Sequence, residues 1–185
     1  VRGGRSEPDQ TLGRAGNTGH SAGPHLHFYI ASEHGRRMED PMRLLPRVED
    51  LNSPTIGQLE ILTDNGRTLI SHSRQERIRL TRPYPILVRI IDPGLERFTR
   101  RGVATLAWSL NGAAEESREF NYAVFENGVW KLDGRWLFSE VFYLDRYNLG
   151  ELDFKNGANS LVLSATDLAG QTTEVTNTIT VDREY

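Results

Sequence analysis

His25 and His27, two histidines one residue apart, are the side chains whose type and spacing could do chemistry. They sit in Leu12 to Ile30, which reads LGRAGNTGHSAGPHLHFYI. The run His25-Leu26-His27-Phe28-Tyr29-Ile30 has strand character, and strand side chains alternate between faces. His25, His27 and Tyr29 are therefore expected on one face, with Leu26, Phe28 and Ile30 turned toward a core. Imidazoles about 7 Å apart on a rigid strand can share a site, one binding a metal and one acting on a substrate. On spacing alone, two exposed strand histidines are the simpler reading. Ahead of the pair, Gly13, Gly16, Gly19 and Gly23 permit tight turns, and Pro24 fixes how the chain enters the strand.

The flanking residues add a resemblance. Residues 16–28, Gly-Asn-Thr-Gly-x-Ser-x-Gly-Pro-His-Leu-His-Phe, resemble the last motif of the lysostaphin-type (LytM-like) zinc endopeptidases, bacterial enzymes that cut peptide bonds in peptidoglycan. The likeness runs back through Gln10, Leu12 and Gly13 of a glycine-rich hairpin and forward to Asp40-Pro41 and Leu44-Leu45-Pro46, so it covers residues 1–46. It implies that His27 is a zinc ligand. It implies that His25 is catalytic, orienting or deprotonating the attacking water or stabilising the oxyanion. Asn17 and Thr18 are implied as substrate-binding residues. The family's zinc takes two His and one Asp and keeps one position for water, whose pKa the metal lowers.

The family's His-x-x-x-Asp and Tyr-x-His-Leu motifs do not occur in this sequence: Met38 stands four residues after His34, and Glu76 four after His72. The chain opens on Val1 in a glycine-rich stretch, so the expectation is a piece of a longer protein whose other zinc ligands lie upstream. The piece alone is expected to be inactive, while the parent acts on peptidoglycan in the periplasm, cell envelope or outside the bacterial cell. Ser6, Asp9, Ala22 and Tyr29 depart from the family's usual residues without removing a chemical group. The alternative is a non-catalytic LytM-like envelope protein that binds peptidoglycan or activates another hydrolase.

The elements that must position the motif read as all-β. Composition changes near residue 47: residues 1–35 are glycine-dense and hold four of the five histidines, whereas residues 56–185 are rich in Val, Ile, Leu, Thr and aromatics. The expected organisation is a C-terminal fragment of a β-rich peptidase domain (1–46), a linker (47–55) and an immunoglobulin-like β-sandwich (56–185). Strands are predicted at Gln58–Thr63, Arg67–His72, Ile86–Ile91, Val103–Leu110, Phe120–Phe125, Leu161–Thr166 and Thr173–Val181. In the last, Val175, Asn177, Ile179 and Val181 form one face. Asn65-Gly66, Asn111-Gly112, Asn127-Gly128 and Asn156-Gly157 are turn signals, because both residues accept positive φ cheaply. Leu161 to Gly170 resembles a hairpin of bacterial immunoglobulin-like modules with an Ala-x-Asp-x-x-Gly pattern. No helical stripe is present.

Composition removes several classes. A net charge of −3, from 22 basic and 25 acidic residues, gives no global field for nucleic acid. Zero cysteines exclude disulfides, cysteine-ligated zinc and a thiol nucleophile. No apolar run approaches the roughly 18 residues that span a bilayer, so no transmembrane segment is expected. The arginines from Arg74 to Arg101 read as protection of a sheet edge and partners for acids of the C-terminal half, with an anionic surface as the alternative. Tyr122, Phe125, Trp130, Trp136, Phe138, Phe142, Tyr143 and Tyr147 read as core and hairpin contacts. Asp145, Asp153 and Asp167 lack EF-hand spacing. The sandwich is expected to position the enzyme or bind an envelope protein.

Overall fold

The computed structural model describes residues 6–11, 13–14, 29–43, 50–70, 77–93 and 100–184. The chain is all-β, as its composition predicts. Among the described residues sixteen strands, numbered β1–β16 along the chain, form three sheets, and the one α-helix is the four-residue turn Phe138–Val141.

The longest hairpin shows how side-chain alternation builds the fold. β15 (Gly157–Thr166) pairs antiparallel with β16 (Thr172–Arg183) from Gly157↔Val181 to Thr166↔Thr172. On β15, Asn159, Leu161, Leu163 and Ala165 are buried; on β16, Asn177, Ile179 and Val181 are buried and the residues between them face outward. With a period of two, a one-residue slip of register would turn an apolar row outward.

This hairpin is the middle of a five-stranded sheet, β5 (Ile78–Leu80), β16, β15, β8 (Thr105–Leu110) and β9 (Glu116–Glu119), with β5 parallel to β16. The facing sheet runs β13 (Phe142–Tyr143), β14 (Arg146–Glu151), β6 (Pro85–Pro93), β3 (Thr55–Thr63) and β4 (Gly66–Leu69), and β7 (Arg100–Arg101) pairs with the end of β6. Leu59, Ile61, Ile86 and Val88 of this sheet meet Leu106, Leu161, Leu163 and Ile179 of the other in one core, which makes the two sheets a sandwich. Phe154, 1% exposed, fills the same core from the connection between β14 and β15. Each such side chain contributes about 1.5–3 kcal/mol through its burial.

The third sheet joins distant parts of the chain in the order β1 (Ile30–Ser32), β2 (Arg37–Glu39), β10 (Tyr122–Glu126), β11 (Val129–Leu132) and β12 (Trp136–Leu137). β2 and β10 align Tyr122 with Glu39, Ala123 with Met38 and Val124 with Arg37. The Arg37 guanidinium lies 3.6 Å from the centre of the Tyr122 ring and pairs with Glu39. Residues 30–39 therefore share a sheet with residues 122–137 of the C-terminal part.

Candidate functional site

His25, His27, Asn17 and Thr18 lie outside the described residues, as do His20 and His72. Tyr29 is 66% exposed and outside any element, and Ile30 opens β1 opposite Glu39. His34 is exposed at the β1–β2 turn with φ +58°. Asp40 ends the hairpin: its Oδ1 accepts the Met42 amide at 2.9 Å and its carbonyl accepts the Arg43 amide at 3.1 Å.

Among the described residues, the cluster whose donors could hold a metal stands elsewhere, at one end of the sandwich. Asp50 arrives on the extended segment before β3, Asp92 sits near the end of β6, and Asp167 follows β15. One carboxylate oxygen of each lies within 4.8 Å of the other two. Asp92 and Asp167 are each 2% exposed, and the Asp50 side chain is 4% exposed.

Local structure explains the convergence. The turn after β15 is closed from both sides: Asp167 donates its amide to the Gln171 carbonyl at 3.0 Å, and its Oδ1 accepts the Gln171 amide at 2.8 Å. Gly170, at φ +90°, takes the left-handed corner that this turn requires. Gln171 then donates its side-chain amide to the Asp50 carbonyl at 2.8 Å, and Thr173 donates its hydroxyl to the Pro54 carbonyl at 2.5 Å. The Asp50 carboxylate accepts the Asn52 amide at 3.1 Å through Oδ1 and Arg101 Nη1 at 2.7 Å through Oδ2. Arg101 stands opposite Asp92 in the β6–β7 ladder.

The polar balance at this point does not close. Asp92 Oδ1 and Asp167 Oδ2 are buried and have no hydrogen-bond partner. Buried carboxylate oxygens ordinarily have donors, because water is lost and nothing else replaces it. Burial, reinforced by Asp50 and Asp167 and opposed by Arg101, pushes the Asp92 carboxyl up to about 6. Nearby, the Tyr147 hydroxyl accepts the Val103 amide at 3.3 Å, and burial raises its pKa. Oxygen donors of this kind suit a proton or a hard cation rather than a thiophilic metal.

Of the three acids that lack EF-hand spacing, Asp167 alone joins this cluster. Asp145 instead pairs with Arg146 and with Arg89 at 3.7 Å, and Asp153 with Arg183. The Ala165-x-Asp167-x-x-Gly170 pattern was the available signal for one corner of the cluster; no local pattern ties Asp50 or Asp92 to it. The arginine run has acidic partners drawn from across the chain: Arg79 with Glu184 at 3.6 Å, Arg82 with Asp64 at 2.6 Å and Arg101 with Asp50. Of the aromatics, Tyr147 is buried and packs against Phe142 and Phe120, whereas Phe125, Trp136, Phe138 and Tyr143 are exposed by 38–45%.

A family model that carries no functional description matches residues 53–182, more than half of the chain, and the chain belongs to that uncharacterised family. The match covers the sandwich and both Asp92 and Asp167. No curated protein matches the chain. Among the described residues no helix is long and apolar enough to cross a membrane.

Proposed function

We propose that this chain is part of a bacterial cell-wall zinc endopeptidase of the lysostaphin type, acting on peptide bonds of peptidoglycan, with the sandwich positioning the enzyme or binding an envelope partner. The observation that carries the reading is the motif of residues 16–28, with His25 and His27 on alternate positions behind Gly23-Pro24. His27 would be one of the zinc ligands. Bound zinc supplies a Lewis acid and a water acidic enough to attack near neutral pH. His25 would take the proton of that water or donate a hydrogen bond to the oxyanion, work suited to a group titrating near neutrality. Asn17 and Thr18 would offer polar contacts to the substrate backbone. Shortly after His27 in the sequence, Ile30–Ser32 pairs into a five-stranded sheet.

Zinc content and muropeptide release from purified sacculi by the full-length protein test the reading, with His25→Ala and His27→Ala as controls. Both substitutions are expected to abolish release, and the second to lower bound zinc as well. Normal release by both variants would refute the assigned roles. Binding to sacculi without any release would move the protein to the non-catalytic alternative.

A further inference from the structure

We propose that Asp50, Asp92 and Asp167 form a calcium site that clips the segment entering the sandwich to the ends of two of its strands. This inference stands apart from the peptidase reading and uses none of its residues. Clustered acids alone would not carry it. Two of the three carboxylates are 2% exposed, and each keeps one buried oxygen without a donor, although the three converge within 4.8 Å.

The neighbouring cation does not complete the arrangement. Arg101 donates to Asp50 at 2.7 Å but leaves Asp92 Oδ1 and Asp167 Oδ2 without donors. Three ionised carboxylates beside one guanidinium leave two negative charges in a space from which water is largely removed. Such charge is costly unless it is paired or bound to metal. A divalent cation balances it.

The donor type selects among cations. The three side chains offer only oxygen, without the nitrogen or sulfur that zinc and copper favour. Magnesium holds its water and demands near-octahedral geometry, which a nearly closed site meets poorly; calcium accepts irregular shells of 6–8 oxygens. The donors come from three separate places in the chain: the approach to β3, the end of β6 and the turn after β15. One ion would therefore cross-link the incoming strand to both sheets.

Calorimetric titration and thermal melting of the full chain, stripped with chelator and held at constant ionic strength, test this with calcium chloride and magnesium chloride as probes. The expected result is one calcium per chain and a midpoint rise of roughly 5–10 °C at calcium about a hundredfold above its Kd, with a much smaller rise in magnesium. Asp92→Asn and Asp167→Asn should remove the calcium response while melting, in chelator, no lower than the unaltered chain. If either variant fails to fold, titration of the unaltered chain still decides. No heat and no shift with calcium, an equal shift with magnesium, or a full calcium response in both folded variants would overturn the proposal.

Discussion

Asn159 gives the sharpest test of how the sandwich holds its shape. The residue is 1% exposed near the start of β15, yet every polar atom of its side chain is engaged. Its Oδ1 accepts the Lys155 amide and Asn111 Nδ2, both at 2.9 Å, and its Nδ2 donates to the Lys155 carbonyl at 2.8 Å and the Gly157 carbonyl at 3.0 Å. Asn111 completes a bridge by accepting the Ser160 amide at 2.9 Å. Asn159→Ala removes four good bonds and strands their partners. At about 1 kcal/mol each, the loss is roughly 3–4 kcal/mol. For a chain of this size that lowers the melting midpoint by on the order of 10 °C.

Asn159→Asp discriminates between lost volume and lost hydrogen bonding. It keeps the shape and the accepting oxygen but turns an anionic oxygen toward two carbonyls, so it should destabilise at least as much near pH 7 and recover partly in acid. Asn111→Ala should cost a comparable amount, because it loses two bonds and alanine tolerates the φ of +54° poorly. The double variant should cost less than the sum, because the two residues share a bond. Urea unfolding of these variants beside the unaltered chain measures all of this. An Asn159→Ala loss below about 1 kcal/mol, or strict additivity with Asn111→Ala, would refute the reasoning.

Two further outcomes follow from charges inside the fold. Arg146, 15% exposed, donates to the nearly buried Glu60 at 2.8 Å and also pairs with Asp145, so Arg146→Met should cost about 3 kcal/mol in urea unfolding; replacing Glu60 and Arg146 together by Met should cost less than that single change. In calcium-free buffer, Asp92 sets a pH dependence whose sign follows from its raised pKa of about 6 against an ordinary 3.8. The folded chain holds the extra proton, so this contribution is present at low pH and is lost as pH rises through 6, by no more than roughly 3 kcal/mol. Comparing urea midpoints at about pH 5 and 7.5 measures it, and Asp92→Asn should flatten the difference.

Where one local rule decides the structure, sequence and fold agree. The strand predicted at Thr173–Val181 is Thr172–Arg183 with the expected inward row, because β-branched alternation and one buried face leave no other choice. Asn111-Gly112 and Asn127-Gly128 take positive φ at both positions, at +54° and +74° and at +52° and +84°. β9, Glu-Ser-Arg-Glu, was not legible, since a strand on the sheet edge needs no apolar row. Its inward residue is Arg118, whose guanidinium lies 5.1 Å from the Trp108 ring and 4.8 Å from the Trp136 ring and donates to the Asn148 carbonyl. Burial lowers the pKa of that guanidinium. The acidic cluster was equally hidden: it depends on strand order, which brings together groups that no short pattern connects.

The sheet shared by residues 30–39 and 122–137 limits how this molecule can be divided. Separating the chain at the composition break near residue 47 would strip β2 from β10 and leave Tyr122, Ala123 and Val124 with unsatisfied backbone groups along a bare flank. Such a flank recruits whatever extended peptide is nearby, including another copy of itself. In the intact chain β2 covers that flank, so a trimmed sandwich would owe some of its behaviour to the wound.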